Sequence, residues 1–126
     1  MRIAVDIRNG IFRDAVVRTL RDFSADFEVY ECESPSETAE LCAVIAADVL
    51  LMEVTEHSQC KLEDRMVIRD KVKSDNPACK VVLVVDESSE RKLADRVREA
   101  KKDGRIDQFV YGSISAAYLA AVIDTL

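Results

Sequence analysis

The sequence predicts a three-layer α/β sandwich around a five-stranded parallel sheet, formed by one domain over residues 1–126. The first observation behind this fold class is the order of the segments, because strand-like and helical segments alternate through five repeats. The second is that three of the strand-like segments are nearly continuous apolar runs. Such runs are typical of strands that are buried on both faces of a parallel sheet.

The predicted strands differ in polarity, and this difference predicts their places in the sheet. The first, third and fourth are the apolar ones, whereas the second and fifth are shorter and more polar. Polar strands suit the edges of a sheet, so we expect the second and fifth strands there. The five segments are residues 2–7, 27–32, 48–54, 80–85 and 106–111.

The first two helices are indicated by apolar spacing and by a start signal. Apolar residues recur at spacings of three and four over residues 11–23, which predicts one amphipathic helix. The second helix is expected to begin at Ser34 or Ser36, with Pro35 tolerated in its first turn, and to run to about Ala46.

The last three helices are bounded by start and stop residues. The third is expected over residues 62–73, and Pro77 closes it because a proline disfavours a helical residue before it. Serines are candidate caps for the fourth and fifth helices, and a glycine ends the fourth. These residues are Ser88 or Ser89 before the fourth helix, Asp103-Gly104 after it, and Ser113 or Ser115 before the fifth.

Composition indicates a soluble globular protein and argues against several classes of function. The formal net charge is −6, and an acidic domain is a poor partner for nucleic acid or an anionic membrane. The one basic-rich stretch, residues 91–105, is interleaved with acidic residues, as on a solvated helix face. No apolar run approaches the roughly 20 residues of a membrane span, and no signal peptide is visible. We therefore expect a cytoplasmic location.

The four cysteines and the single histidine form no recognisable metal motif. None of Cys32, Cys42, Cys60 and Cys79 stands in a C-x-x-C pair, which a structural zinc site usually shows. We expect reduced thiols that pack as small hydrophobic side chains. His57 precedes Cys60 closely enough to suggest a nucleophile pair, but we interpret His57 as a surface loop residue.

Glu53 is the first candidate site residue, because it follows the apolar run of the third predicted strand. Open sheets of parallel strands bind ligands outside the carboxyl ends of their strands. A carboxylate at such an end is suited to metal binding or to acid chemistry. Its function depends on which other acids reach the same edge.

Several pieces of the sequence resemble the receiver domain of bacterial response regulators, and the resemblance covers the whole chain. Residues 2–5 and 10–16 are similar to the first strand and helix of receivers that precede helix-turn-helix output domains, residues 48–54 resemble the phosphoacceptor strand, and residues 76–85 resemble the approach to the fourth strand. The resemblance implies a flavodoxin-like, receiver-like (βα)5 fold and two-component signal transduction.

The resemblance also implies a set of site positions, and this chain departs from the receiver pattern at each of them. In receivers, an aspartate accepts a phosphoryl group, an acid pair holds Mg²⁺, and a hydroxyl and a lysine bind the phosphoryl oxygens. The corresponding positions are Glu53 for the acceptor, Ile7 and Arg8 for the acid pair, Val85 for the hydroxyl and Gly112 for the lysine. We therefore expect a degenerate receiver that is not phosphorylated.

Asp6 and Asp86 are the nearest acids that could still join Glu53 in a weak Mg²⁺ site. Arg8 argues against such a site, because its positive charge would compete for the same carboxylates. We expect an Arg8–Glu53 ion pair instead, and no cofactor. An acidic side chain at the acceptor position could also hold the domain in an active-like state, although Val85 and Gly112 supply no responding hydroxyl or lysine.

Aromatic residues near the end of the chain are candidates for a switch or an interface. In receivers, an aromatic residue on the fifth strand reports the state of the site, and the face formed by the fourth helix, fifth strand and fifth helix docks partners. The resemblance places Phe109 at that aromatic position, with Tyr111 two residues on. Phe109 is interpreted first as a core residue. The alanine-rich last helix, with Tyr118, could form a dimer surface or pack only on its own sheet.

We therefore expect a non-enzymatic signalling module that binds a protein partner or forms a homodimer. Its output could be a DNA-binding domain outside this chain, with no direct contact to nucleic acid or membrane. Two alternatives stay open: a phospho-accepting, Mg²⁺-dependent receiver, and a flavodoxin-like domain that binds a small ligand at the strand ends. The sequence also leaves open whether the domain stands alone or precedes an output domain.

Overall fold

A computed structural model describes residues 1–57, 59–85, 91–112 and 115–126, apart from the side chain of Arg91. Within these ranges, the strands form one parallel sheet in the order β2-β1-β3-β4-β5. The predicted fold class is therefore confirmed, and the second and fifth strands lie at the edges as expected. The strands are β1 (Arg2–Asp6), β2 (Glu28–Glu31), β3 (Val49–Val54), β4 (Lys80–Val85) and β5 (Gln108–Tyr111).

The helices cover both faces of the sheet and create two separate cores. Residues of α1 and α5 pack on one face, and residues of α2, α3 and α4 pack on the other. Because strand residues alternate between the two faces, Ile7 and Asp6 belong to opposite sides of the sheet. The helices are α1 (Gly10–Phe23), α2 (Thr38–Ile45), α3 (Leu62–Asp75), α4 (Arg91–Lys102) and α5 (Ala116–Asp124).

Polar side chains and left-handed residues set the helix ends. Asn9 caps α1 by accepting from the N–H of Phe12, and Ser115 caps α5 by accepting from the N–H of Tyr118. Gly104, at a φ of 76°, follows α4, as the predicted stop requires. The alternative caps Ser88, Ser89 and Ser113 lie outside the described residues.

The start of the second helix differs from the prediction. Ser34 precedes a short 3₁₀ turn, Pro35–Glu37, and the α-helix itself begins only at Thr38. The first turn of an α-helix and that of a 3₁₀ helix both tolerate proline, so Pro35 did not indicate which of the two would form. This shift brings the Thr38 side chain against the end of β1.

The described helices include none that combines the length and the apolar character needed to cross a membrane.

Candidate functional site

The carboxyl ends of four strands bring most of the predicted site positions to one edge of the sheet. The backbone N–H of Arg8, just after β1, donates to Oε1 of Glu53 on β3 at 3.1 Å. Val85 ends β4 beside the last residue of β5, and the N–H of Gly112 donates to the Val85 carbonyl at 2.8 Å. Asp86 lies outside the described residues, so its place at this edge stays a prediction.

The prediction of an ion pair between Arg8 and Glu53 is wrong, because the Arg8 guanidinium pairs with Asp6 instead. Glu53 binds the backbone of Arg8, whereas the Arg8 guanidinium turns toward β2 and β1. Its Nη2 lies 3.1 Å from Oδ1 of Asp6 and donates to the Cys32 carbonyl at 2.7 Å. Its Nη1 donates to the Glu33 carbonyl at 2.9 Å. The end of β2 supplies these carbonyl acceptors and draws the side chain away from Glu53.

Asp6 lies at the centre of a fully buried polar cluster. Its Oδ2 accepts from Nη1 of Arg65 and from the hydroxyl of Thr38, both at 2.6 Å. None of these three side chains is exposed to solvent. Oδ1 makes no hydrogen bond among the described residues, but it faces the Arg8 guanidinium, so the carboxylate charge is balanced by two arginines. A buried carboxylate requires such partners, because desolvation of an unpaired charge costs several kcal/mol or more.

Arg65 extends this cluster from α3 to the ends of two neighbouring strands. Its Nε donates to the Glu53 carbonyl at 2.8 Å, and its Nη2 donates to the Asp6 carbonyl at 3.3 Å. Nη2 also lies 3.6 Å from the sulfur of Cys60. A single guanidinium therefore ties β1, β3 and the loop before α3 together.

Comparison with known proteins gives a fold and no sequence family. No family model matches the chain, and no curated protein matches it. Among solved structures, the receiver domain of AraT, a response regulator from Geobacillus stearothermophilus, is 18% identical with a TM-score of 0.75, over 98% of this chain and 90% of that one. The chain has a receiver fold.

Two further structures share this fold. A DNA-binding response regulator of the LuxR family from Staphylococcus aureus is 14% identical with a TM-score of 0.74, over 98% of this chain and 96% of that one. A structure described as a novel family of redox sensors in the streptococci, evolved from two-component response regulators, is 12% identical with a TM-score of 0.78. That match covers 98% of this chain and 49% of the other.

Among the described residues, the two positions that the resemblance assigns at the ends of β4 and β5 carry no phosphoryl-binding group. Val85 is buried and apolar, and Gly112 has no side chain. A Cβ added at Gly112 would lie 3.7 Å from Cγ1 of Val84, an ordinary contact, so space does not exclude a larger residue there. At these two described positions, therefore, neither the hydroxyl nor the lysine of the receiver pattern is supplied.

The described side chains at the receiver edge do not suit Mg²⁺. The two positions of the acid pair hold an apolar side chain, Ile7, and a cation, Arg8. Asp6 already faces two guanidinium groups, and Glu53 accepts from a backbone N–H. In the described ranges, no group of three His, Cys, Asp or Glu side chains is placed to hold a metal ion.

The thiols are buried, and their surroundings oppose ionisation. Burial raises the pKa of Cys42 from its ordinary value of 9.0 to about 12, and those of Cys32 and Cys79 to about 11. Burial also raises the pKa of Cys60, against the lowering effect of Arg65. His57 is exposed, as expected for a surface loop residue, whereas Cys60 lies in the same loop with its thiol buried.

A second feature of this receiver fold is an apolar groove beside β5. Phe109 and Tyr111 are half-buried, meet edge to face at 5.7 Å between ring centroids, and pack against the core. Tyr118, on α5, is 59% exposed and lies on the other side of the groove. The groove holds about 520 Å³ and is lined by Gln108, Phe109, Val110, Tyr111, Ser115, Tyr118 and Val122.

Cations from α4 flank the aromatic rings of the groove. The Arg98 guanidinium lies 5.7 Å from the centroid of Tyr111, and Lys101 Nζ lies 5.9 Å from that of Phe109. The predicted switch and interface residues are therefore brought together on one surface. Phe109 is only partly a core residue.

Sequence reasoning missed Arg65 and Thr38. Arg65 stands three residues after Leu62 and one before Met66, so it falls on the apolar stripe of α3. A charge on such a stripe, together with an aspartate in a buried strand, was the available signal, because arginine and aspartate are almost never fully buried unless paired.

Proposed function

We propose that this receiver-fold chain is a two-component signalling module that acts by protein–protein interaction, without phosphorylation of an acceptor aspartate and without Mg²⁺. The observation that carries the proposal is the state of the carboxylates at the receiver edge. Asp6 is held by Arg65, Thr38 and Arg8, and Glu53 is held by the Arg8 backbone.

Phosphoryl transfer to a carboxylate needs positioned cations around the transferring group. In receivers, Mg²⁺, a hydroxyl and a lysine meet this need. Here the acid pair is replaced by Ile7 and Arg8, and the phosphoryl-binding positions hold Val85 and Gly112. At these described positions, no hydroxyl or lysine is available to bind a phosphoryl group beside Glu53.

The groove beside β5 supports the interaction part of the proposal. Half-buried and exposed aromatic side chains next to arginine are the chemistry that protein interfaces favour. Phe109, Tyr111 and Tyr118 present such a surface, with Arg98 adjoining it. We propose that a second copy of the chain or a signalling protein binds there. An output domain that binds DNA is a further candidate, since one similar structure is a DNA-binding response regulator.

The test is treatment with a phosphoryl donor. The wild-type chain is incubated with acetyl phosphate and Mg²⁺, and separately with beryllofluoride and Mg²⁺, and followed by intact mass and amide NMR. We expect no phosphoryl mass gain and no shifts centred on Glu53. A mass gain that maps to Glu53, Asp6 or Asp86 would overturn the proposal.

The variant Glu53→Asp sharpens this experiment, because it restores the acceptor type alone. We expect it to stay unphosphorylated, since the metal-binding acids are still missing. A receiver of known phosphorylation competence, treated in parallel, shows that the reagents are active.

A further inference from the structure

We infer that the guanidinium of Arg65 takes the place of a divalent cation at the receiver edge; this inference rests on the function proposed above. Arg65 and Asp6 are both completely buried. A buried positive charge is tolerated where oxygen acceptors surround it, and the ends of β1 and β3 supply them.

The acceptors that Arg65 binds are of the kind that a hard cation binds. They are one carboxylate oxygen of Asp6 and the backbone carbonyls of Asp6 and Glu53. Carboxylates and backbone carbonyls are also the protein ligands of Mg²⁺ and Ca²⁺. The planar guanidinium distributes several N–H donors over these oxygens, which a lysine ammonium could not match in geometry.

The charges at the edge are balanced without a metal. Two carboxylates, Asp6 and Glu53, lie with two guanidinium groups, Arg8 and Arg65, so the formal charge of the four side chains is zero. A divalent cation that entered would meet the repulsion of both arginines in a poorly solvated place. Among the described residues, these four side chains therefore balance one another without a divalent metal.

The decisive experiment compares Arg8→Asp with the double variant Arg8→Asp/Arg65→Met. Both restore an acid at a receiver position, and only the second removes the buried cation. Mg²⁺ binding is measured as the rise of Tm with MgCl₂ and by isothermal titration. We expect the double variant to bind Mg²⁺ at least tenfold more tightly than Arg8→Asp alone.

A matched control removes an exposed arginine instead. Arg96 pairs with Glu63 on the surface, and both side chains are more than half exposed. Arg8→Asp/Arg96→Met should bind Mg²⁺ as Arg8→Asp does. Equal affinity of Arg8→Asp and Arg8→Asp/Arg65→Met would overturn the inference, since Arg65 would then not compete with a cation.

A measurement on the wild-type chain keeps the inference testable if the double variant does not fold. Mn²⁺ is added to labelled protein, and amide line broadening is mapped. We expect no saturable broadening centred on Asp6 and Glu53, and such broadening would refute the cation role of Arg65. These metal-binding results test the role of Arg65 alone. The proposed function is tested separately, by phosphorylation of the wild-type chain.

Discussion

Nη1 of Arg65 lies 2.6 Å from Oδ2 of Asp6, and both side chains are sealed from solvent between the sheet and α3. This pair joins the end of a central strand to the helix that follows the neighbouring strand. The pair places two opposite charges inside an otherwise apolar core. The stability of the domain should therefore depend on both charges being present together.

Breaking the pair should be costly, and removing both charges less so. Asp6→Asn leaves the buried Arg65 without its carboxylate, and Arg65→Met leaves Asp6 with only the partly exposed Arg8, so we expect each to lower the free energy of unfolding by about 3–5 kcal/mol. The double variant should lose clearly less than the sum of the two, because neither charge is left unpaired. Urea denaturation followed by circular dichroism measures all three.

The surface variant Arg96→Met serves as the control, since exposed ion pairs contribute about 0–1 kcal/mol. Strict additivity of the two buried substitutions would contradict the coupling.

Asp107 should give the fold a distinct sensitivity to acid. It accepts from the N–H of Val81 at 2.8 Å and from Nζ of Lys73 at 2.9 Å. Partial burial works to raise its pKa, but these two donors outweigh burial and lower the pKa below the ordinary value of 3.8. The contribution of Asp107 to folding stability is therefore complete above pH 3.8 and is lost as the pH falls through the lowered pKa.

We expect Asp107→Asn to cost about 1–2 kcal/mol at pH 7, with the difference from wild type shrinking below about pH 4. Unfolding free energies at a series of pH values measure this. Asp124→Asn, at an exposed position, should be nearly neutral throughout. If the difference in unfolding free energy between Asp107→Asn and wild type stayed constant down to pH 3, the Asp107 charge would not have this role.

The buried thiols should resist modification in the folded protein. Because burial raises the pKa of Cys42 to about 12 and that of Cys79 to about 11, both are thiols rather than thiolates at pH 8. A charged thiol reagent should label them at least roughly a hundredfold more slowly than in denaturant. Peptide mass spectrometry gives the rate for each cysteine, and rapid native labelling of either would contradict the buried environment.

The same shifts predict a loss of stability at alkaline pH. Since the folded-state pKa values lie above the ordinary 9.0, stability is full below that value and declines as the pH rises toward 11–12. Cys42→Ala should flatten this decline while costing some packing at every pH.

The groove beside β5 should mediate self-association at high protein concentration. Tyr118→Asp places a charge on its exposed aromatic wall and should weaken association about tenfold or more, as expected for an aromatic anchor. Val44 is 76% exposed on α2, away from the groove, so Val44→Asp is the matched control. Sedimentation analysis measures the self-association of wild type, Tyr118→Asp and Val44→Asp. Equal effects of the two substitutions would contradict the role of the groove in self-association.

Much of the fold could be predicted because the strands follow simple burial rules. Apolar runs in β1, β3 and β4 indicated central strands, and the polar β2 and β5 indicated edges. The predicted strands extend beyond the observed ones by a residue or two at several ends, where side chains stay buried although the ladder has stopped. Ile7 and Phe27 are examples, since both are buried just outside their strands.

The site was less predictable, because its contacts cross the sheet between distant segments. Arg8 and Glu53 were correctly expected to be neighbours, but the competing acceptors Cys32 and Glu33 come from a different strand end. Arg65 lies 59 positions from Asp6, and helical spacing alone does not reveal which strand residue it meets. The sequence indicated Asp6, Arg8 and Glu53 as individual candidates, whereas the contacts among them and with Arg65 are visible only in the folded structure.

The buried pair also constrains how this lineage can change. Loss of either Asp6 or Arg65 alone removes the buried partner of the other, so a protein with only one of the two substitutions should be less stable. Natural relatives should therefore carry the aspartate and the arginine together, or replace both with apolar residues. Covariation of these two positions among relatives would therefore record a requirement of the folded core.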